Sequence, residues 1–249
     1  MKKNFTDLGH GGNDSGAVGI NNTKESNIVL EVGTKVDKYL EPCNIENKLS
    51  RNKDVTLSLS ARSSASNKYN ADTFVSIHCN AYKDPSGHGL EIVYMTSKGK
   101  ELAKCILDEL IKEGLYTKLR ENKTGLKYQN VHVCRETNAV ACLIEMGFIT
   151  NSKDYNLIMN NKDKFAKCIA KGICKYNKVE FKESIHSNTS YTVKIDCDIL
   201  NVRSGPGTNY DITTKVKHNE VYTIVEEKNG WGKLKSGAGW IKLSYTIKR

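Results

Sequence analysis

Hydrophobic positions along residues 1–176 alternate between the spacing of amphipathic helices and that of buried strands. Apolar residues three and four positions apart predict a helix over Glu25–Leu40. Thr73–Cys79 and Ala139–Met146 are nearly continuous apolar or β-branched runs, as in strands covered on both faces. The remaining predicted strands are Lys3–Leu8, Asn44–Ser50 and Gly89–Met95, and the remaining helices are Leu57–Tyr69, Lys98–Lys112 and one ending at Tyr176. This alternation predicts an α/β fold with a twisted, mostly parallel sheet and helices on both faces.

The pattern changes at about Asn177, where the helical spacing stops. Residues 178–190 are polar and without period, and they are predicted to be a linker. Short β-rich pieces follow, separated by turn residues such as Ser204-Gly205-Pro206-Gly207, and they predict a small β-barrel. The domains are therefore predicted at 1–177 and 191–249, with the linker at 178–190. The predicted β pieces are Ile195–Val202, Val221–Glu226, Trp231–Leu234 and Gly239–Leu243.

No apolar run approaches the ~20 residues that a membrane-spanning helix needs, so no membrane span is expected. The chain begins Met1-Lys2-Lys3, but Asn4, Asp7 and His10 interrupt the apolar segment that a signal peptide would have. We therefore expect a protein that is made in the cytoplasm without a signal peptide.

The formal charge is +10, and only six of the 38 basic residues are arginine. Residues 187–249 carry ten basic and six acidic groups, or +4, and the remaining 28 basic and 22 acidic groups give +6. Readers of base edges favour the planar fork of arginine, so this lysine-rich chain is not expected to bind nucleic acid. Spread-out lysine fits a general attraction to a polyanionic surface, or a plain bias of composition.

Eight cysteines are present, but none forms a C-x-x-C pair. This excludes a zinc ribbon and a thioredoxin-type motif. A disulfide framework is not expected in a chain of this length, so we interpret the cysteines as reduced residues, several of them in the core.

Four residues able to bind a metal ion or move a proton stand at the ends of predicted core elements. His10 follows the first strand in a glycine-rich turn, Glu25 opens the first helix, and His78 ends the strand Thr73–Cys79. Each has an ordinary alternative: a turn residue, a carboxylate placed by the helix dipole, and a satisfied core histidine. Glu145 is the most informative, because an ionised carboxylate near the end of an apolar strand is costly unless something pairs with it. Together they are the residue types of a catalytic zinc site with a nearby carboxylate.

The sequence resembles the zinc-dependent N-acetylmuramoyl-L-alanine amidases, which degrade peptidoglycan. The resemblance implies that His10, Glu25 and His78 bind Zn²⁺ and that Glu145 is the catalytic carboxylate. It departs from the family at Leu8 and Val140, where proline is usual, and neither position is a ligand. The matching segments are Asp7–Gly12, Glu25, Ser60–Arg62 with Asn67, Phe74–Ala81 and Glu145–Asn151.

The C-terminal part resembles bacterial SH3-like domains that bind cell walls, through Leu200–Gly207 and Gly239–Ile241. Trp231 and Trp240 are candidates for an aromatic groove that binds a glycopeptide, or alternatively are core residues of a small barrel.

The resemblance implies that zinc-activated water cleaves the amide between N-acetylmuramic acid and L-alanine, with bacterial peptidoglycan as the partner. Arg62 and Asn80 are candidate substrate or scaffold contacts. With no signal peptide expected, a phage endolysin that acts on the wall after release is favoured. The alternatives are a host autolysin of sporulation or cell separation, and a non-catalytic wall-binding protein.

Overall fold

In the computed structural model, which describes residues 1–183, 190–228 and 230–249, the chain forms two units. The first is Met1–Lys182 and the second is Glu183–Arg249. Each unit has its own hydrophobic core. Among the described residues, no helix combines the length and the apolar content that crossing a membrane would require.

A six-stranded mixed sheet forms the centre of the first unit. Its strands are β1 (Lys2–Leu8), β2 (Ile45–Leu49), β3 (Thr73–Asn80), β4 (Glu91–Tyr94), β5 (Leu126–Tyr128) and β6 (Val140–Phe148). They lie in the order β2-β1-β3-β6-β4-β5. The first four strands in this order are parallel, β4 runs antiparallel to β6, and β5 runs parallel to β4. The predicted mostly parallel sheet is confirmed, and the carboxyl ends of β1, β3 and β6 share one edge with the start of β4.

Helices cover both faces of this sheet, as the sequence predicts. They are α1 (Glu25–Leu40), α2 (Leu59–Tyr69), α3 (Ser97–Lys112), the short turn α4 (Arg120–Lys123), α5 (His132–Glu136) and α6 (Ser152–Tyr176). The larger core lies between the sheet and α1, α3 and α6, and includes Val32, Ile106 and Phe165. A smaller core on the other face contains Phe5 and Phe74, whose rings stack 5.8 Å apart, together with residues of α5.

Helix starts follow local capping chemistry. The side chains of Ser58 and Thr96 accept hydrogen bonds from the first turns of α2 and α3, at 3.1 and 3.0 Å. The Asn151 side chain does the same for α6, which therefore begins well before the predicted apolar stripe at Phe165. Neither α5 nor β5 was predicted from the sequence, because segments of five and three residues are too short to show a period.

The second unit is an antiparallel sheet of seven strands around a small core that includes Val202, Ile224 and Ile241. The predicted single strand Ile195–Val202 is two strands separated by a turn. The sheet order is β13-β7-β10-β11-β12-β8-β9. The strands are β7 (Tyr191–Ile195), β8 (Ile199–Arg203), β9 (Ile212–Lys217), β10 (Val221–Lys228), β11 (Trp231–Leu234), β12 (Trp240–Lys242) and β13 (Thr246–Lys248).

The segment predicted as a linker begins on the surface of the first unit. Val179 and Phe181 pack against its core, with the Phe181 ring 6.4 Å from that of Tyr39. The backbone N–H of Lys182 donates to Cys43 Sγ at 3.4 Å. The first unit therefore extends to Lys182 rather than 177, and residues 184–189 of the predicted linker lie outside the described residues.

Candidate metal centre and active site

His10, Glu25 and His78 come together at the carboxyl ends of β1 and β3. Glu25 Oε2 lies 3.2 Å from His10 Nε2, and Glu25 Oε1 lies 3.0 Å from His78 Nδ1. One potential ligand atom from each residue lies within 4.8 Å of the other two. The backbone N–H groups of Ala17 and Cys79 donate to the two Glu25 oxygens, both at 2.9 Å. The three residues thus form one compact group of two imidazoles and a carboxylate.

Two buried arginines hold the loop that carries His10. Arg51 donates to the carbonyl oxygens of Leu8 and Gly9, at 3.1 and 3.0 Å. Arg62 donates to the carbonyl oxygen of His10 at 2.8 Å. His10 itself has a left-handed backbone, with φ of 59°. Because such a conformation is unfavourable for a non-glycine residue, these carbonyl contacts maintain the loop against local preference.

The sequence predicts either a substrate or a scaffold contact for Arg62, and the contacts that the structure shows for it are with the scaffold. Its guanidinium pairs with Asp7 at 2.8 Å, and its Nε donates to the carbonyl oxygen of Leu57 at 3.3 Å. The same guanidinium also donates to the carbonyl oxygen of Leu8. Only 4% of the Arg62 side chain is exposed, so it lies beneath the His10 loop.

Two glycines leave space for the side chains of the three candidate ligands. A Cβ at Gly9 would lie 2.2 Å from His78 Cε1. A Cβ at Gly16, where φ is +63°, would lie 2.6 Å from both Glu25 Oε2 and His10 Cδ2. Real Cβ contacts are longer than this, so any side chain at either position would displace one of the candidate ligands.

The charges of the three residues support one another. Burial opposes ionisation of Glu25, but hydrogen bonds from His10 and His78 outweigh it and hold the pKa of Glu25 well below its usual range. The hydrogen bond to Glu25 raises the pKa of His10 to about 9. His10 Nδ1 also lies 2.8 Å from Asp14 Oδ2. With the proton on Nδ1, this N–H group donates to Asp14, and Nε2 is directed toward Glu25. In known metal sites, a carboxylate that accepts from one ring nitrogen of a histidine orients the imidazole, so that its other nitrogen can bind the metal.

Glu145 lies beside this group. It is the register partner of His78 on the neighbouring parallel strands β3 and β6. Its Oε2 atom is buried, and no donor reaches it among the described residues. Burial raises the pKa of Glu145 to about 7, although His78 opposes the shift, and Glu25 and Glu91 add to it. A carboxyl group with a pKa near neutrality can both accept and return a proton.

Another buried carboxylate, Glu91, lies directly opposite Glu145 on β4 and was not predicted from the sequence. Its oxygens pair with Arg120 Nε at 2.9 Å and with Lys127 Nζ at 3.5 Å, and one accepts a hydrogen bond from Asn80 Nδ2 at 3.3 Å. The signal that identified Glu145, a carboxylate within an apolar strand, was also present in Leu90-Glu91-Ile92-Val93. Asn80, a candidate substrate or scaffold contact, has its side-chain amide bound to this network.

The second unit carries a groove with a volume of ≈ 690 Å³. Trp231 lines it together with Ile199, Tyr245 and the cationic side chains of Arg203 and Lys242. Lys242 Nζ lies 5.6 Å from the centroid of the Trp231 ring, within the range of a cation–π contact. Both tryptophans are buried, with 7% of Trp231 and 8% of Trp240 exposed, but of the two only Trp231 is among the residues that line the groove.

Comparison with known sequences finds two families along the chain. The profile of the N-acetylmuramoyl-L-alanine amidase family matches residues 5–175. The profile of the bacterial SH3 domain matches residues 199–247. The two matches fall within the two structural units.

Individual relatives agree with the family match. The chain is 32% identical over 197 residues to the N-acetylmuramoyl-L-alanine amidase CwlM of Bacillus licheniformis, covering 78% of this chain and 75% of that protein. It is 33% identical over 172 residues to the endolysin of Bacillus phage SPP1, covering 68% of this chain and 62% of that protein. A solved structure of the catalytic domain of CwlV, an N-acetylmuramoyl-L-alanine amidase from Bacillus (Paenibacillus) polymyxa var. colistinus, superposes with a TM-score of 0.67 at 33% identity, covering 72% of this chain and all of that domain.

Proposed function

Because the chain belongs to the N-acetylmuramoyl-L-alanine amidase family, we propose that it cleaves the amide between N-acetylmuramic acid and L-alanine in peptidoglycan with His10, Glu25 and His78 as zinc ligands and Glu145 as the catalytic carboxylate. The observation that carries the proposal is the grouping of these four residues at one sheet edge. Three can donate to a metal, and the fourth is a carboxyl group whose buried Oε2 atom has no partner among the described residues.

The donor set fits a zinc ion. Two imidazoles and one carboxylate on separate elements are a set used by catalytic zinc sites, which keep a further position open for water. A bound zinc ion would lower the pKa of that water towards ~7 and polarise the substrate carbonyl. The chain's own part is to present the three donors together: Arg51 and Arg62 hold the His10 loop, and the N–H groups of Ala17 and Cys79 orient Glu25.

Glu145 handles the protons of the reaction. Its unpartnered Oε2 accepts the proton of the attacking water, and the same carboxyl group returns it to the nitrogen of L-alanine as the amide breaks. Glu145 is the register partner of His78 and is not part of the group that His10, Glu25 and His78 form, which supports a role beside the metal rather than as a ligand.

Digestion of purified peptidoglycan tests the bond that is cleaved. Mass analysis of the products is expected to show new N-terminal L-alanine and intact glycan strands. Chelator should abolish the release, and added zinc should restore it. New reducing sugar ends, or cleavage within the peptide, would refute the amidase assignment. Absence of any cleavage would favour the non-catalytic wall-binding alternative.

We further propose that the groove of the second unit binds the wall. Its aromatic floor and two cationic side chains suit a glycopeptide that carries carboxylates. Ile199 and Ile247 provide a matched pair, because both are exposed but only Ile199 lines the groove. Ile199→Ser should weaken binding of the chain to purified walls by about tenfold, and Ile247→Ser should leave it unchanged. Equal binding by both variants would remove the groove from wall recognition.

The biological setting that we propose is synthesis in the cytoplasm and action on the wall after release, as in a phage endolysin. The eight cysteines support a reducing compartment, since all are free thiols. The phage SPP1 endolysin is a relative, but bacterial cell-wall amidases are also related, so a host autolysin is the second candidate. Expression inside host cells tests the proposed retention in the cytoplasm. Lysis only when the membrane is permeabilised supports this retention, and lysis without permeabilisation contradicts it.

A further inference from the structure

Glu91 and the side chains bound to it, those of Arg120, Lys127 and Asn80, are called the Glu91 network. This network lies in line with His78 and Glu145 across the sheet. His78, Glu145 and Glu91 occupy the adjacent strands β3, β6 and β4, and each is the register partner of the next. Neighbouring strands are about 4.8 Å apart, so Glu91 lies one strand spacing beyond Glu145 on the side away from His78. Any group held by the Glu91 network is therefore close to Glu145 and farther from the metal ligands.

Positive charge exceeds negative charge in this network. One carboxylate, Glu91, pairs with both Arg120 and Lys127. Glu91 is only 3% exposed, and a single cation would already satisfy its charge. The second cation leaves a net positive charge at the rim of the site, which favours an anionic group of a ligand.

The surroundings of Arg120 fix its guanidinium in place and leave part of it unused. Nε donates to Glu91, and the guanidinium carbon lies 4.9 Å from the centroid of the Phe148 ring. The Arg120 backbone N–H donates to the carbonyl oxygen of Leu90 at 3.1 Å, and its carbonyl oxygen accepts from the N–H of Gly125 at 2.9 Å. The two terminal nitrogens have no acceptor among the described residues, and 34% of the side chain is exposed. A planar pair of N–H groups held in this way matches the geometry of a carboxylate.

We propose that Arg120, positioned by Glu91, binds a free carboxylate of the stem peptide on the amine side of the scissile bond. This rests on the proposed function, in which Glu145 returns its proton to the L-alanine nitrogen. The peptide then leaves the metal ligands in the direction of Glu145 and Glu91. A main-chain carboxylate on the second residue lies roughly 7 Å beyond the scissile nitrogen at ~3.5 Å per residue. This is comparable to the strand spacing of about 4.8 Å from Glu145 to Glu91 together with the 2.9 Å from Glu91 to Arg120 Nε.

A pair of substrates that differ in one group tests this inference. Both are synthetic N-acetylmuramoyl peptides, one with a free α-carboxylate on the second residue and one with the matched α-carboxamide. The full-length protein should cleave the free acid with a kcat/KM about tenfold higher than the amide. Arg120→Gln should bring this ratio close to one by slowing cleavage of the acid, mainly through KM. Arg120→Lys should retain part of the preference, because it keeps the charge but not the fork.

Arg135→Gln is the matched control, since Arg135 is exposed, pairs with Glu136 and lies in α5 away from the site. It should leave the substrate ratio unchanged. If Arg120→Gln fails to fold because Glu91 is left with one weak partner, the double variant Glu91→Gln with Arg120→Gln removes both charges and is measured instead. Equal cleavage of the two substrates by the unaltered protein, or an unchanged ratio in the Arg120 variants, overturns this inference but not the amidase assignment. No cleavage of either substrate overturns the proposed function and this inference with it.

Discussion

At the scale of single residues, the charged side chains of the candidate site differ in the contacts that they make. Glu25 is bonded on both oxygens to histidines and backbone N–H groups, whereas Glu145 Oε2 has no partner in the described part of the chain. Of the six arginines, Arg51 and Arg62 support the His10 loop, and Arg120 borders the site. The two carboxylates therefore respond differently to substitution.

Substituting the two carboxylates separates metal binding from proton transfer. Glu145→Gln keeps the shape but removes the proton acceptor, so bound zinc should remain while turnover falls by about 10²–10⁴-fold. Glu25→Ala removes a ligand, so zinc content should drop, and excess zinc should restore part of the activity. Metal content and wall-lysis rate measured together check both, with exposed Glu101→Gln as a control. Loss of zinc from Glu145→Gln with retention in Glu25→Ala would reverse the assignment.

The stability of the metal-free protein should depend on the pH through Glu145. Burial raises the pKa of Glu145 from an ordinary value of 4.5 to about 7, so in this range the folded state holds the proton more tightly than the unfolded chain. The contribution of Glu145 to the free energy of unfolding therefore falls as the pH rises from about 4.5 to about 7.

Glu145→Gln lacks this penalty and should be more stable than the unaltered protein at pH 8, by about 1–3 kcal/mol, with a smaller difference at about pH 5. Thermal melts in chelator at the two pH values measure the change. A difference that is the same at both pH values would show that Glu145 does not titrate in this range.

At the scale of elements, the site depends on how loops approach the ends of strands. The loop from Gly9 to Lys24 brings His10 against the first turn of α1, and Gly16 lies where the two meet. Gly114, in the loop after α3, has a similar φ of +67°, but a Cβ added there would have no atom within 4 Å. The two glycines thus share the cost of a left-handed backbone and differ only in their neighbours.

This pair of glycines isolates the effect of crowding on the ligands. Both Gly16→Ala and Gly114→Ala should lower the free energy of unfolding by about 1 kcal/mol because of the left-handed φ. Gly16→Ala should in addition lower zinc affinity, since its methyl group displaces Glu25 or His10. Competition of each variant with a zinc-binding dye gives the affinity. Equal zinc affinities for the two variants would mean that the ligand group tolerates the displacement.

At the scale of the whole molecule, the proposed catalytic residues all lie in the first unit and the groove in the second. Both units have a separate core, and both carry positive charge. Cleavage and attachment to the wall are therefore expected to be separable.

Residues 1–182 alone should cleave soluble muramoyl peptides at the rate of the full chain but lyse intact walls more slowly. Residues 183–249 alone should bind walls and leave them uncleaved. Circular dichroism verifies that each fragment folds, and the two rates are then compared at equal concentration. A folded first fragment that cleaves neither substrate would show that the second unit completes the site. The difference in wall-lysis rate between the full chain and residues 1–182 should decrease as the salt concentration rises, because salt screens the expected electrostatic attraction between the positively charged second unit and the wall.

Much of the fold can be predicted from the sequence by itself, because the spacing of apolar residues indicates which face of a helix or strand is buried. It determined the helix Glu25–Leu40, which the structure reproduces residue for residue, the strand-helix alternation and the mostly parallel sheet. The resemblance to amidases and to bacterial SH3 domains, which rests on short motifs, is confirmed by the family comparisons. Which residues hold the metal stays a prediction, although the structure brings His10, Glu25 and His78 together.

Tertiary structure alone decided the contacts between distant parts of the chain. The reversed direction of β4 places Glu91 opposite Glu145, and Arg120 reaches Glu91 from a loop with no periodic signal. The role of Arg62 as a scaffold depends on Asp7, 55 residues earlier in the chain. A pattern of apolar positions shows that a side chain is buried, but not which partner meets it there. That choice is made by strand order and by the path of the loops, which bring residues far apart in sequence into contact.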